Sequence, residues 1–173
     1  MNSTRGFALM EVIFYFAVLG AMSMLVVAVV GSGFNAWGQV RSERAASDGG
    51  KLILERLLQE VRLASSVNVA GSVLGTSPGT LSLNTFEQFD SEVPATLDVV
   101  LQDGTVTIRR NAETPVPLNG SLLRVSELIF DYQDNGNSEL VRMRLTVEAG
   151  QGRFVQEQSF ITAAVLRNSY ANQ

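Results

Sequence analysis

Glu11 is the single charged residue between Arg5 and Arg41, and its neighbours are almost all apolar. A carboxylate costs about 2.5–3.5 kcal/mol at a bilayer centre and less near the end of a span, so it asks for a partner or a purpose. The chemistry open to it there is electrostatic, the neutralisation of a positive group in a low dielectric. Elsewhere the chain offers few reactive side chains. With no His and no Cys, it lacks the commonest general base, the commonest zinc ligands and any thiol nucleophile, and it can form no disulfide. Its only lysine, Lys51, falls at a predicted helix start. Asp98 with Asp103, and Glu87 with Asp90 and Glu92, read as solvated strand edges and loops. No catalytic residue and no cofactor is expected.

Asp131, Gln133, Asn135, Gly136, Asn137 and Glu139 fall at the spacing of the early positions of a calcium loop. The pattern then departs from such a loop, with Gln at its third position and Arg142 where the closing glutamate belongs. A hairpin turn rich in Asp, Asn and Gly accounts for the same residues. For nucleic acid, the formal charge of −4 and a pI near 4.8 oppose nonspecific phosphate binding. Arg109-Arg110 with Arg142 and Arg144 could form a local basic patch, but solvent-facing strand arginines are the plainer reading, and no specific nucleic acid is expected.

These residues need elements to hold them. From Phe7 to Gly31 there are 25 residues, which as a helix at about 1.5 Å each reach roughly 37 Å, enough to cross a bilayer. Arg5 and the amino terminus favour keeping that end in the cytoplasm, with the C-terminal body outside. Helical character is expected to continue over 32–66, with a bend or break at Gly49-Gly50. Leu54, Leu57, Leu58, Val61 and Ala64 recur at helical spacing, while Glu55, Arg56, Gln59, Glu60 and Arg62 fall mainly on the other side. This predicts an amphipathic helix over about 51–65 packed on a sheet.

From residue 67 to 173 the period becomes that of strands. Leu97, Val99 and Leu101 alternate with polar residues, Asp103-Gly104 supplies a turn, and Val106 and Ile108 resume the pattern. A second hairpin runs through Leu128, Phe130 and Tyr132, turns at 134–137 and returns through Val141, Met143, Leu145 and Val147. The last strand, about 153–166, is apolar on both faces and is expected to be central and covered. Residues 71–80 and 111–120 read as loops. The expected fold is α+β, a long N-terminal helix laid on an antiparallel β-sheet.

The order Arg5-Gly6-Phe7-Ala8-Leu9-Met10-Glu11 followed by the apolar run resembles the processing signal of the type IV pilin superfamily, which covers pilins, minor pilins and type II secretion pseudopilins. Ala8 and Met10 stand where Thr or Ser and Leu are more usual. The resemblance implies a leader of residues 1–6, cut by a prepilin peptidase between Gly6 and Phe7, with N-methylation of Phe7. It further implies that Glu11 pairs with the terminal amine of a neighbouring subunit. The family layout, a helix whose second half packs on a β-sheet, is the one expected above. Ala164-Val165-Leu166-Arg167-Asn168, with Phe130-Asp131-Tyr132 upstream, looks most like the J/W-type minor pilins and pseudopilins.

The function so implied is that of a non-enzymatic subunit of a type IV pilus or a type II secretion pseudopilus. Its implied partners are the prepilin peptidase, other pilins or pseudopilins through the helix, an inner-membrane assembly platform, and membrane lipid before assembly. The implied location is the inner membrane with one pass, then a surface or periplasmic filament. The competing reading is a membrane-anchored or secreted β-domain that binds a ligand, with residues up to about 31 serving only as export signal or anchor. Against a plain signal peptide, the apolar run is far longer than 7–15 residues.

Overall fold

A computed structural model describes residues 4–86, 93–111, 113–136 and 138–166. The chain divides into two compact units, Met1–Val40 and Arg41–Gln173. Helix α1, Thr4–Leu63, is a single element of 60 residues that runs through the boundary.

In the first unit the helix carries apolar side chains all round. From Leu9 to Val40 its large apolar residues are exposed, among them Phe14, Leu19, Val27, Phe34 and Trp37. An apolar helix long enough to cross a membrane, with no part of its most apolar stretch covered by protein, lies near the N-terminus. Both of its serine hydroxyls among the described residues are satisfied internally: Ser23 Oγ donates to Leu19 O and Ser32 Oγ to Val29 O, each at 2.8 Å. That suits a medium offering no water to bond with.

In the second unit α1 turns amphipathic. Ala46, Ile53, Leu54, Leu57 and Val61 are buried at the period of one helix face, followed by Ala64 just past its end. The expected break at Gly49-Gly50 does not occur. A Cβ on Gly49 would lie 2.6 Å from Leu123 Cδ2, and one on Gly50 would lie 2.3 Å from Phe160 Cε2. These glycines let the helix backbone approach the sheet, and that packing outweighs their poor helix propensity of about 1 kcal/mol each.

Among the described residues, eight strands form two antiparallel sheets. One has the order β1 (Ser66–Val67), β2 (Thr80–Phe86), β3 (Pro94–Gln102), β4 (Thr105–Arg110), β5 (Val116–Pro117). The other has the order β6 (Leu123–Asp134), β7 (Glu139–Ala149), β8 (Gln156–Val165). The β3–β4 hairpin turns on Asp103 at φ 52° and Gly104 at φ 79°, the two positive values that a type I′ turn requires. The β6–β7 hairpin turns where the sequence places it, and Leu128, Phe130, Val141, Met143, Leu145 and Val147 are all buried in one core with Leu81, Leu97 and Val99. The architecture is α+β.

Four further expectations need correction. Where one sheet was expected there are two. Strand β2 was not foreseen, although Leu81 and Leu83 are buried and alternate with Ser82 and Asn84. Strand β8 is at the sheet edge, not its centre, and its exposure alternates, with Ile161 67% exposed. Its apolar residues on the second face were read as covered, but among the described residues nothing covers them. The segment 111–120 also includes the short strand β5.

The sheets are joined along β6. Val125 N donates to Gly104 O at 2.9 Å, Gly79 N to Leu128 O at 2.8 Å and Gly75 N to Phe130 O at 2.8 Å. Asn119 completes the joint, accepting from Val106 N at 2.8 Å and donating to Gly104 O at 3.1 Å and Leu123 O at 2.7 Å.

Candidate functional site

The candidate site is the first unit's helix surface around Glu11. Helix geometry sets Glu11 and Tyr15 one turn apart on one face, and Tyr15 Oη stands 3.4 Å from Glu11 Oε1 as a long hydrogen bond. Both residues are exposed on the helix. The tyrosine hydroxyl meets one oxygen of the carboxylate, and a carboxylate with a single long hydrogen bond retains capacity to accept a strong, charge-assisted one. Thr4, Arg5, Gly6 and Phe7 are helical, so no change of backbone marks the expected leader boundary. The bond between Gly6 and Phe7 falls in the first turn of α1, where the backbone N–H groups have no intrahelical partner and the helix is easiest to open.

The calcium candidates are dispersed by the hairpin. Asp131 stands opposite Arg142 and Gln133 opposite Leu140 on paired strands. Asn135 Oδ1 accepts from Ser138 N at 2.8 Å, and Asp134 Oδ1 accepts from Gly136 N at 2.8 Å, so the turn uses these side chains to hold itself. Glu139 Oε2 accepts from Val67 N at 2.9 Å, tying β7 to β1. Asn137 lies outside the described residues. Among those described, no three His, Cys, Asp or Glu side chains come close enough to hold a metal ion. Burial, aided by the negative charges of Glu139 and Asp134, pushes the Tyr132 hydroxyl above the usual tyrosine range.

Arg109 and Arg110 do not make one basic patch, because neighbours on a strand point to opposite faces. Arg109 Nη2 pairs with Asp98 Oδ2 at 2.9 Å, and Ser82 Oγ donates to the other oxygen of Asp98 at 2.8 Å. Asp98 is therefore held in an ion pair and not simply solvated. Glu87, Asp90 and Glu92 lie outside the described residues, as do Arg167 and Asn168.

Compared with family models, curated proteins and solved structures, the chain matches none.

Three residues that the sequence pattern did not single out have a part in the structure: Glu60 and Asn119 hold the fold, and Tyr15 flanks Glu11. Glu60, expected on the exposed side of the helix, is 6% exposed. Arg56 Nη2 lies 2.7 Å from one of its oxygens and Arg110 Nη2 3.2 Å from the other. The signal available was its position one turn after Arg56; the reach of Arg110 from β4 is tertiary and invisible to local pattern. Asn119 carries no periodic signature. Tyr15 at i+4 from Glu11 was legible, but it reads equally as one more apolar residue.

The two arginines and Glu60 line an open cleft of ≈ 460 Å³ with Leu97, Ile108 and Thr114. Both arginines face the one buried carboxylate, so the arrangement neutralises a charge inside the fold. Its chemistry is structural.

Proposed function

We propose that this chain is a minor pilin or pseudopilin, a non-enzymatic filament subunit held in the inner membrane until an assembly machine extracts it. The observation that carries the reading is α1. One uninterrupted helix begins with an exposed apolar stretch interrupted by a single carboxylate, and ends in a face packed into an antiparallel β-domain. The order Arg5-Gly6-Phe7 ahead of Glu11 supports the same reading.

The mechanism follows from solvation. In lipid the helix is stable because its backbone and hydroxyls bond internally. Cleavage after Gly6 exposes the Phe7 amine, and methylation leaves it cationic. Packing the apolar stretch against neighbouring helices replaces lipid contact with close side-chain contact. In that setting Glu11 of one subunit and the amine of the next neutralise each other, each removing the other's desolvation cost. Tyr15 holds the carboxylate in place until then. The C-terminal unit stands outside the cytoplasm, and its chemistry is that of a scaffold.

The test is the N-terminal residue of the mature protein, read by mass spectrometry in cells with and without a prepilin peptidase. A peptidase-dependent terminus at an N-methylated Phe7 is expected. An intact Met1, or a cut near Gly31, would overturn the reading in favour of an anchored or exported binding module.

A further inference from the structure

Among the described residues of the first unit, the helix from Leu9 to Val40 is exposed nearly throughout, over about 48 Å, well beyond the roughly 30 Å hydrocarbon core of a bilayer. Its depth in lipid is therefore set by the residues that prefer an interface, and not by its length. Glu11 is the only charge in this stretch, and Trp37 is the only tryptophan in the chain. They lie 26 positions apart on one continuous helix, about 39 Å, against the roughly 40–45 Å of a bilayer with its headgroup layers. The next aromatic residues inward, Phe14 and Phe34, are 20 positions or about 30 Å apart, the thickness of the hydrocarbon core itself. Side-chain direction agrees with this bracketing, because side chains on a helix lean toward its N-terminus. Tyr15, one position inside Phe14, thus sends its hydroxyl outward to Glu11 at 3.4 Å. The same lean carries the Trp37 ring, 79% exposed, back over the turn that holds Phe34. A ring that is apolar in body and polar at the N–H belongs at such a boundary.

We propose that the chain sits in the bilayer with residues 14–34 in the hydrocarbon core, Glu11 in the polar layer on the cytoplasmic side, and Trp37 as the anchor at the opposite interface. Compared with a core of residues 7–31, the midpoint moves from Leu19 to Met24, about 7 Å along the helix. The displacement takes Glu11 out of the hydrocarbon, where one carboxylate costs about five times what a single apolar side chain gains. It draws in Phe34 and Ser32, whose hydroxyl is already bonded to Val29 O. It also carries Phe7 about 10 Å clear of the core, so the Gly6–Phe7 bond stands in water, open to a peptidase. The carboxylate then stays hydrated until the helix leaves the membrane, and meets its desolvation cost only where a neighbour's amine can offset it. The proposal rests on the membrane-held state of the proposed function, and not on cleavage or filament entry.

The test uses the full chain in vesicles of phosphatidylcholine and phosphatidylglycerol at a high lipid-to-protein ratio. The lone tryptophan should emit to the blue of its value in water. A nitroxide at the top of the lipid acyl chain should quench it several-fold more than one at the chain end. Because the chain has no cysteine, Leu19→Cys, Met24→Cys and Val29→Cys each carry a single nitroxide label. Collisions with oxygen relative to those with a water-soluble nickel chelate should peak at Met24→Cys and be equal at the other two sites. Trp37→Ala should move the peak toward Leu19→Cys. A peak at Leu19→Cys with Trp37 present and emitting as in water would overturn the proposal and leave the membrane-held state standing. Collisions that favour the chelate at all three sites would overturn both. A peak that Trp37→Ala leaves in place would overturn the assignment of Trp37 as the anchor.

Discussion

Arg110 reaches from strand β4 to place Nη2 3.2 Å from the buried carboxylate of Glu60 on α1. The pair joins helix to sheet where apolar contact gives way to the open cleft. Its two sides are unequal: Glu60 is buried, whereas Arg56, the second partner, is 53% exposed. Removing the sheet-side partner should leave a buried charge held only from its wet side. Arg110→Ala is expected to lower unfolding free energy by about 1–3 kcal/mol, and Arg56→Ala by about 0.5 kcal/mol. Urea denaturation of the two variants side by side measures the difference, and equal losses would contradict the inequality.

The glycines of α1 separate by position. Gly50 faces Phe160 and Gly49 faces Leu123, while a Cβ on Gly20, Gly31 or Gly33 meets nothing within 4 Å. Alanine favours the helix by about 1 kcal/mol everywhere, but at Gly50 it must displace a half-buried ring, which costs about 1–3 kcal/mol. Gly50→Ala should therefore lower stability by about 1 kcal/mol, and Gly31→Ala should raise helix content or leave it unchanged. Phe160→Leu in the Gly50→Ala background should recover part of the loss. Thermal melts followed by circular dichroism test all three.

Asn119 serves three backbone groups with one amide, and its orientation is fixed by them: oxygen to Val106 N, nitrogen to Gly104 O and Leu123 O. Asn119→Ala leaves those groups without their partner, an expected loss of about 1–3 kcal/mol. Asn119→Asp keeps the shape and the first bond but turns an acceptor toward two carbonyls, so it should cost at least as much. If the aspartate variant proved the more stable of the two, the assigned orientation would be wrong.

What the sequence disclosed was what repeats. Alternation placed the β3–β4 and β6–β7 hairpins, and the unbroken apolar run placed the first half of α1, because burial on one face or all round leaves a period that local reading detects. Glu60 escaped because its charge said exposed, and only a strand about fifty residues downstream supplies the arginine that permits burial. Gly49-Gly50 misled for the opposite reason: their weak propensity is local, and the close approach to Leu123 and Phe160 that repays it is not. Strand β8 shows the limit of pattern most clearly. Apolar residues on both faces mean a covered strand when a partner lies in the same chain, and an exposed edge when it does not. At the candidate site, Glu11 and its setting were legible from residue type alone, whereas the hydrogen bond from Tyr15 needed the helix to be continuous through both.

Tyr132 links the β6–β7 turn to alkaline stability. Burial first, then the charges of Glu139 and Asp134, hold its proton above the usual range. An unfolded tyrosine loses its proton near pH 10. Between that pH and the higher folded value the unfolded chain has released a proton that the native chain keeps, so the unfolded state binds fewer protons and stability falls as pH rises. The contribution is intact below about pH 10 and is lost through that window. Tyr132→Phe should flatten the decline in unfolding free energy above about pH 10. An unchanged alkaline slope would remove Tyr132 from the explanation.

Under the proposed function, Glu11 separates folding from assembly. It lies on the first unit's helix and outside the core formed by the second, so Glu11→Ala should leave the melting of the β-domain unchanged. Membrane insertion should if anything improve, since the substitution removes a charge costing up to about 3 kcal/mol from an apolar helix. Under the proposed function its loss falls instead on incorporation into filaments, where the neighbour's amine would be left buried without a counter-charge. Glu11→Asp, one methylene shorter, should retain part of the activity, and Tyr15→Phe should weaken incorporation less than Glu11→Ala. Quantitative immunoblotting of sheared filament and membrane fractions gives the readout. Entry of Glu11→Ala at the wild-type level, with the protein still in the membrane fraction, would show that the carboxylate has no partner in the assembled state.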